Sequence, residues 1–110
     1  MTVSEQAFFV LTALVDEPRH GYGIVREVTD LSDGRVRLRV GTLYGVLDRL
    51  VTDGLAEHDR EEIANGRLRR YYRLTDTGRQ RLADEVDRQA ANARVARDRL
   101  RSWHRAEGTA

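Results

Sequence analysis

The spacing of apolar residues changes period twice along this chain, and that change limits the folds open to it. Through positions 4–53 apolar residues recur mostly at intervals of three and four, the mark of helices with one oily stripe. Through 55–74 they alternate with polar ones, as in half-buried strands. From 82 to 103 the intervals return to four and three. The order predicts a mainly α protein with a small antiparallel β-wing and a long helix at its C-terminal end.

Local signals place the boundaries. Ser4 caps a first helix that runs to about 16, with Ala7, Phe8, Leu11, Leu14 and Val15 on its stripe. Pro18 breaks it, and Gly21 and Gly23 are expected to turn. A second helix runs to about 30 with Tyr22, Val25 and Val28 inward. "LSDG" at 31–34 is a turn, and "RVRLR" at 35–39 alternates as a short strand, Val36 and Leu38 against Arg35, Arg37 and Arg39. The third helix opens with "VGTLYGVLDRL" at 40–50 and ends at Gly54 as its C-cap. Strands are expected at 55 to about 60 and at 67–74, around a loop that ends in Asn65-Gly66, a strong hairpin signal. Tyr72 and Leu74 are expected inward.

Thr75 caps the last helix, expected to reach about 105. Leu82, Val86, Gln89, Ala93, Ala96, Leu100 and Trp103 form a heptad seam along it. The seam is weak, and so polar a helix is not stable alone in water. An equivalent helix from a second copy is the simplest partner, which makes these residues, with Phe8, the expected homodimer interface. Residues 1–75 then form one domain, and 76–110 a dimerisation helix with a short tail.

The third helix poses the functional question. Its stripe of Leu43, Leu47 and Leu50 faces the core, while the opposite side carries Gly41, Thr42, Gly45, Asp48, Arg49 and Thr52. Glycine in a helix interior costs about 1 kcal/mol relative to alanine. Two glycines on the exposed side are explained if something large must approach the backbone. A winged helix-turn-helix supplies that partner, because its third helix fits the major groove of DNA, about 12 Å wide.

The chemistry of the remaining positions agrees. Thr42 sits where free helix N–H groups favour a phosphate, and the Tyr44 hydroxyl can reach a phosphate oxygen. Arg49 can read guanine, and Asp48 can accept from a cytosine amine. Arg39 leads into the helix, and Arg67, Arg69 and Arg70 ride the wing. Net charge is only +1, but its distribution is uneven: residues 63–74 hold four arginines and no acid, just after the acidic "EHDREE". All 19 basic residues are arginine. A GC-rich genome produces that bias, and arginine also suits bidentate contacts to phosphate and guanine.

Three blocks carry a resemblance: "HGYGI" at 20–24, "GTLYGVLDRLVTDGL" at 41–55 and "RRYYRLTDTGRQRL" at 69–82. In order and spacing the chain resembles the PadR family of bacterial transcription regulators, in its smaller subfamily with a single C-terminal helix. The resemblance implies a homodimer, a winged-helix core that binds double-stranded DNA at an inverted-repeat operator, and repression relieved by a small aromatic or phenolic ligand. The family's Thr-Leu-Tyr signature falls on Thr42, Leu43 and Tyr44. Where members commonly carry proline after the signature tyrosine, this chain has Gly45, and where many carry a serine N-cap it has Val40. The ligand is expected near the dimer interface, lined by Phe8, Leu11, Val86, Gln89 and Ala93.

Other function classes fare worse. Without cysteine there is no disulfide, thiolate metal site or thiol catalysis. His20, His58 and His104 lie far apart, and no P-loop, metal-ligand spacing or nucleophile–base pair appears, so neither an enzyme nor a cofactor is expected. The longest apolar run, "AFFVL", cannot cross a bilayer, and no signal-peptide pattern opens the chain, so a cytoplasmic location is expected. The alternative is a winged-helix protein-interaction module that does not read DNA.

Overall fold

The computed structural model describes residues 3–109. Its elements run α1 (Glu5–Ala13), β1 (Arg19–His20), α2 (Gly21–Leu31), α3 (Val40–Thr52), β2 (Ala56–Ala64), β3 (Arg67–Leu74) and α4 (Asp76–Thr109). The three strands form one antiparallel sheet of order β1-β3-β2.

One core joins the helices to the base of the sheet. Val10, Leu11 and Leu14 meet Ile24 and Val28 of α2 and Leu43, Leu47 and Leu50 of α3, with Leu55, Tyr72, Leu74 and Leu82 closing the far side. Ser4 caps α1 by accepting from the Ala7 N–H at 3.1 Å. At the other end of α3, Asp53 holds the cap and Gly54 follows with φ +76°. The Leu55 N–H reaches back to the Leu50 carbonyl at 2.8 Å and the Gly54 N–H to Val51 at 3.0 Å, a Schellman closure.

Four local expectations are corrected. First, α1 stops at Ala13, ahead of position 16. Second, Gly21 and Gly23 do not turn: they lie in the first turn of α2, whose N-cap is His20. The buried stripe of α2 is therefore Gly21, Ile24 and Val28, and Tyr22, one position off it, is 68% exposed rather than inward.

Third, 35–39 is extended but pairs with no strand. Val36 and Leu38 are buried as the alternation requires. The backbone of Val36 is held instead by buried Ser32, whose hydroxyl accepts from its N–H at 3.0 Å and donates to its carbonyl at 3.3 Å. The sheet position is filled by Arg19 and His20, opposite Tyr72 and Tyr71. Fourth, no long loop separates the wing strands. Asn65 (φ 53°) and Gly66 (φ 75°) form a two-residue turn of the type that matches strand twist, and pairing resumes at once between Ala64 and Arg67. One irregularity in β2 lies between His58 and Arg60.

Thr75 starts α4, its hydroxyl accepting from the Gly78 N–H at 2.9 Å and donating to the Gly54 carbonyl at 2.6 Å. The first turns of α4 pack on α1 through Leu82, and Glu85 is 4% exposed and paired with Arg88. From Val86 to Gly108 every side chain is exposed. At about 1.5 Å per residue the 34-residue helix is roughly 51 Å long. The radius of gyration is accordingly 17.9 Å, against about 13 Å for a compact chain of this size.

Candidate nucleic-acid interface

The outward side of α3 is bare. A Cβ added at Gly41 or Gly45 would meet nothing within 4 Å. Thr42, Asp48, Arg49 and Thr52 stand exposed beside them. Arg39 is the N-cap residue and its side chain makes no capping bond. The first helical bond runs from the Leu43 N–H to the Arg39 carbonyl at 2.9 Å, so the amides of Val40, Gly41 and Thr42 precede the ladder. Gly45, Asp48 and Arg49 line one shallow groove along the helix. Thr42, Gly45 and Arg49 line another against Ser4, the N-cap of α1, and Gln6.

Between the start of α3 and the wing lies a cleft of about 560 Å³, lined by His20, Tyr22, Tyr44, Arg67, Leu68 and Arg70 among others. Tyr44 is 40% exposed, and its hydroxyl fills the space that a side chain on Gly21 would need. Tyr72 lies beneath, 3% exposed. Burial first, then the nearby Tyr44 and Asp48, push its phenol above the ordinary 10.0. His20 ties the cleft wall together. Its Nδ1 accepts from the Gly23 N–H at 3.4 Å, and its ring stands edge-on to Tyr71 at 5.3 Å. Burial, then Arg69, lower its pKa from 6.5, with Glu62 opposing.

The two faces of the wing differ in charge balance. On the face of Tyr71, Arg73 bonds Glu57 at 2.6 Å and Asp59 at 3.3 Å, while Arg60 bonds Asp59 at 2.9 Å and Glu62 at 2.7 Å. The Arg60 guanidinium also lies 4.0 Å above the Tyr71 ring. This ladder neutralises itself, and its bond to Arg60 holds the Glu62 carboxyl below the usual carboxylate range. The other face carries Leu68, Arg70 and, deeper, Tyr72.

The arginines singled out in the sequence divide accordingly. Arg70 pairs with Glu61 at 3.4 Å, both more than half exposed, and such a pair contributes about 0–1 kcal/mol. Among the described residues Arg39, Arg49, Arg67 and Arg69 enter no ion pair. Tyr22 lines the cleft as well, because Gly21 and Gly23 lie in the first turn of α2 and leave it off the buried stripe. Its ring stands at the cleft rim with the Arg26 guanidinium 5.9 Å from its centroid.

The seam residues of α4 separate into two groups. Leu82 is already taken up by the chain's own core at 8% exposure. Val86, Gln89, Ala93, Ala96, Leu100 and Trp103 are exposed, and Gln89 donates to Glu85 at 3.3 Å. The residues expected to line a ligand site lie on α1 (Phe8, Leu11) and α4 (Val86, Gln89, Ala93). Leu11 is fully buried in the core and Phe8 is half-buried against Phe9. The apolar groove of about 330 Å³ where the end of α1 meets α4 is lined by Val15, Leu82, Ala83 and Val86. Among the described residues no helix is long and apolar enough to cross a membrane.

Comparison with known proteins gives concordant matches. Residues 10–84 match the transcriptional regulator PadR-like family. A transcriptional regulator of Mycobacterium tuberculosis is 38% identical over 76 residues, 69% of this chain and 67% of that protein. A PadR family transcription regulator from Clostridium difficile R20291 superposes with a TM-score of 0.74 at 21% identity, covering 88% of this chain and 99% of that one. Bacillus subtilis PadR, solved in complex with operator DNA, gives a TM-score of 0.64 at 23% identity, over 73% of this chain and 46% of that one. These two structural likenesses concern the fold.

Proposed function

This chain belongs to the PadR-like family of transcriptional regulators, and from that premise we propose that it acts as a homodimer reading an inverted-repeat operator in double-stranded DNA. The observation that carries this reading is the bare outward side of α3, open at Gly41 and Gly45 and flanked by the unpaired Arg39 and Arg49. The Bacillus subtilis relative, solved with operator DNA, is the precedent. In this reading α3 enters the major groove. Thr42 and the leading amides hold a phosphate, the Tyr44 hydroxyl holds another, and Arg49 and Asp48 face base edges. Arg67, Arg69 and Arg70 follow the backbone beside the wing.

Residues 1–75 form the reading head and 76–110 the clasp. The exposed Val86, Ala93, Ala96, Leu100 and Trp103 pack against a second copy, and two α3 helices meet half-sites about 34 Å apart. The regulator acts as a repressor in the cytoplasm. A small aromatic ligand at the interface releases it by favouring a dimer in which the two reading helices no longer match the groove spacing, which requires different affinities for the two states.

Selection of bound duplexes from random DNA, repeated with candidate phenolics, tests the reading. The expected product is an inverted repeat whose binding weakens steeply with salt and whose yield drops with an active phenolic. A strictly monomeric protein that enriches no duplex overturns it. A second reading, a winged-helix protein-interaction module, draws on the self-neutralised ladder of β2. A folded dimer that shifts no duplex at low salt favours that one.

A further inference from the structure

The tip of the wing carries two large apolar side chains that the fold does not use. Ile63 and Leu68 are directly opposed across the hairpin and are 78% and 56% exposed. Opposed residues of an antiparallel pair share a face, so both stand on the side of Arg70 and Tyr72, away from the ion-pair ladder. That side turns toward α3: Leu68 lines the cleft together with Tyr44 and Tyr22. The tight Asn65-Gly66 turn holds the pair just behind the tip. Arg67 lies between Leu68 and that turn and Arg69 follows Leu68, both on the opposite face and in no ion pair among the described residues.

A hairpin tip that carries an aliphatic pair on one face and Arg67 and Arg69 on the other suits the minor groove of B-form DNA. That groove has anionic rims and apolar sugar walls, and is about 6 Å wide. Leucine and isoleucine are among the side chains that wedge between base steps from this groove. Arg67 and Arg69, on the opposite face of the same tip, enter no ion pair among the described residues; a polyanion satisfies them together with the apolar pair, where an apolar protein partner would leave them unmatched.

We propose that Ile63 and Leu68 form an apolar wedge that enters the minor groove flanking each half-site and reads how readily a base step opens. The wedge rests on the DNA-binding reading above. It adds to that reading a source of sequence preference that uses no hydrogen bond to a base, because pyrimidine–purine steps unstack more easily than others.

The test uses one pool of duplexes whose flanks are randomised around the half-sites selected by the wild-type protein. The wild type should enrich pyrimidine–purine steps at a fixed offset outside each half-site. Ile63→Ser/Leu68→Ser should keep the half-sites and lose the flank preference, with about tenfold weaker binding to the best duplex. Its slope of log K against log salt should stay unchanged, whereas Arg67→Ala should lower that slope by about one. Ile63→Val/Leu68→Met keeps the apolar volume and should retain the preference, and circular dichroism melts should match the wild type for both. Identical flanks for the wild type and the serine variant overturn the wedge alone. Loss of dimer mass in the serine variant also overturns it, assigning the pair to self-association. Failure of the wild type to enrich any duplex overturns the parent reading, and the wedge with it.

Discussion

Gly21 at the head of α2 and Tyr44 near the head of α3 occupy one space: a Cβ on Gly21 would lie 2.6 Å from the tyrosine hydroxyl and 3.2 Å from its ring carbon Cζ. The missing side chain in one helix therefore fixes the position of a phenol in the next. The phenol is half out in solvent and can swing aside. Gly21→Ala is expected to change the melting temperature by only a few degrees while displacing the hydroxyl from its place beside the cleft. Duplex affinity should fall by about tenfold, close to the loss in Tyr44→Phe. Anisotropy titrations beside calorimetry check this, and unchanged affinity in both variants removes Tyr44 from the interface.

Gly45 gives the opposite balance. Its surroundings are empty, so Gly45→Ala gains helix propensity without a clash. Stability should rise by about 1 kcal/mol, and DNA binding should weaken. A variant that is both more stable and binds as well as the wild type would leave the bare helix face without a purpose.

Gly78 has no such freedom. A side chain there would overlap the Leu55 carbonyl oxygen, which accepts from the Thr75 N–H at 3.1 Å. Backbone cannot step aside as a tyrosine can. Gly78→Ala is expected to cost about 1–3 kcal/mol, read as a lower urea midpoint, despite alanine's better helix propensity.

The His20 ring prefers its neutral form in the fold, its pKa lowered from 6.5 chiefly by burial and next by Arg69. Its contribution to stability is therefore fully present above that ordinary value and is lost as pH falls through the lower folded one. Protonation also removes the Nδ1 lone pair that caps α2. Between about pH 7.5 and 5 the wild type should lose more thermal stability than His20→Asn, whose amide oxygen caps without titrating. Parallel losses count against this role.

Dimerisation through α4 predicts that Leu100→Arg combined with Trp103→Ala yields a monomer by light scattering. The fold of residues 3–85 should persist, because both side chains are exposed. A dimer of undiminished mass places the interface elsewhere.

The long-period features of this fold were legible in the sequence, and the short-range ones were less so. The stripe of Leu43, Leu47 and Leu50 and the alternation ending at Tyr72 and Leu74 are dictated by burial, which leaves a periodic trace. The two-residue strand Arg19–His20 has no room for a period, and its pairing with Tyr71 and Tyr72 is set by tertiary contact. Tyr22 was misplaced because a histidine cap ahead of two helical glycines reads locally like a turn. On the candidate site, the glycines of α3 and the wing arginines could be singled out from residue type. Which arginines are free depends on cross-strand register with Glu57, Glu61 and Glu62, and on a bulge at Asp59 that alternation does not reveal.

The Thr75 hydroxyl, shared between the Gly54 carbonyl and the Gly78 amide, works as a pin through a joint. A tilt of the tail relative to the end of α3 would stretch both of its bonds. A second bond, from the Thr75 N–H to the Leu55 carbonyl, runs beside it, so the tail is fastened to the residues just after α3 at two adjacent points.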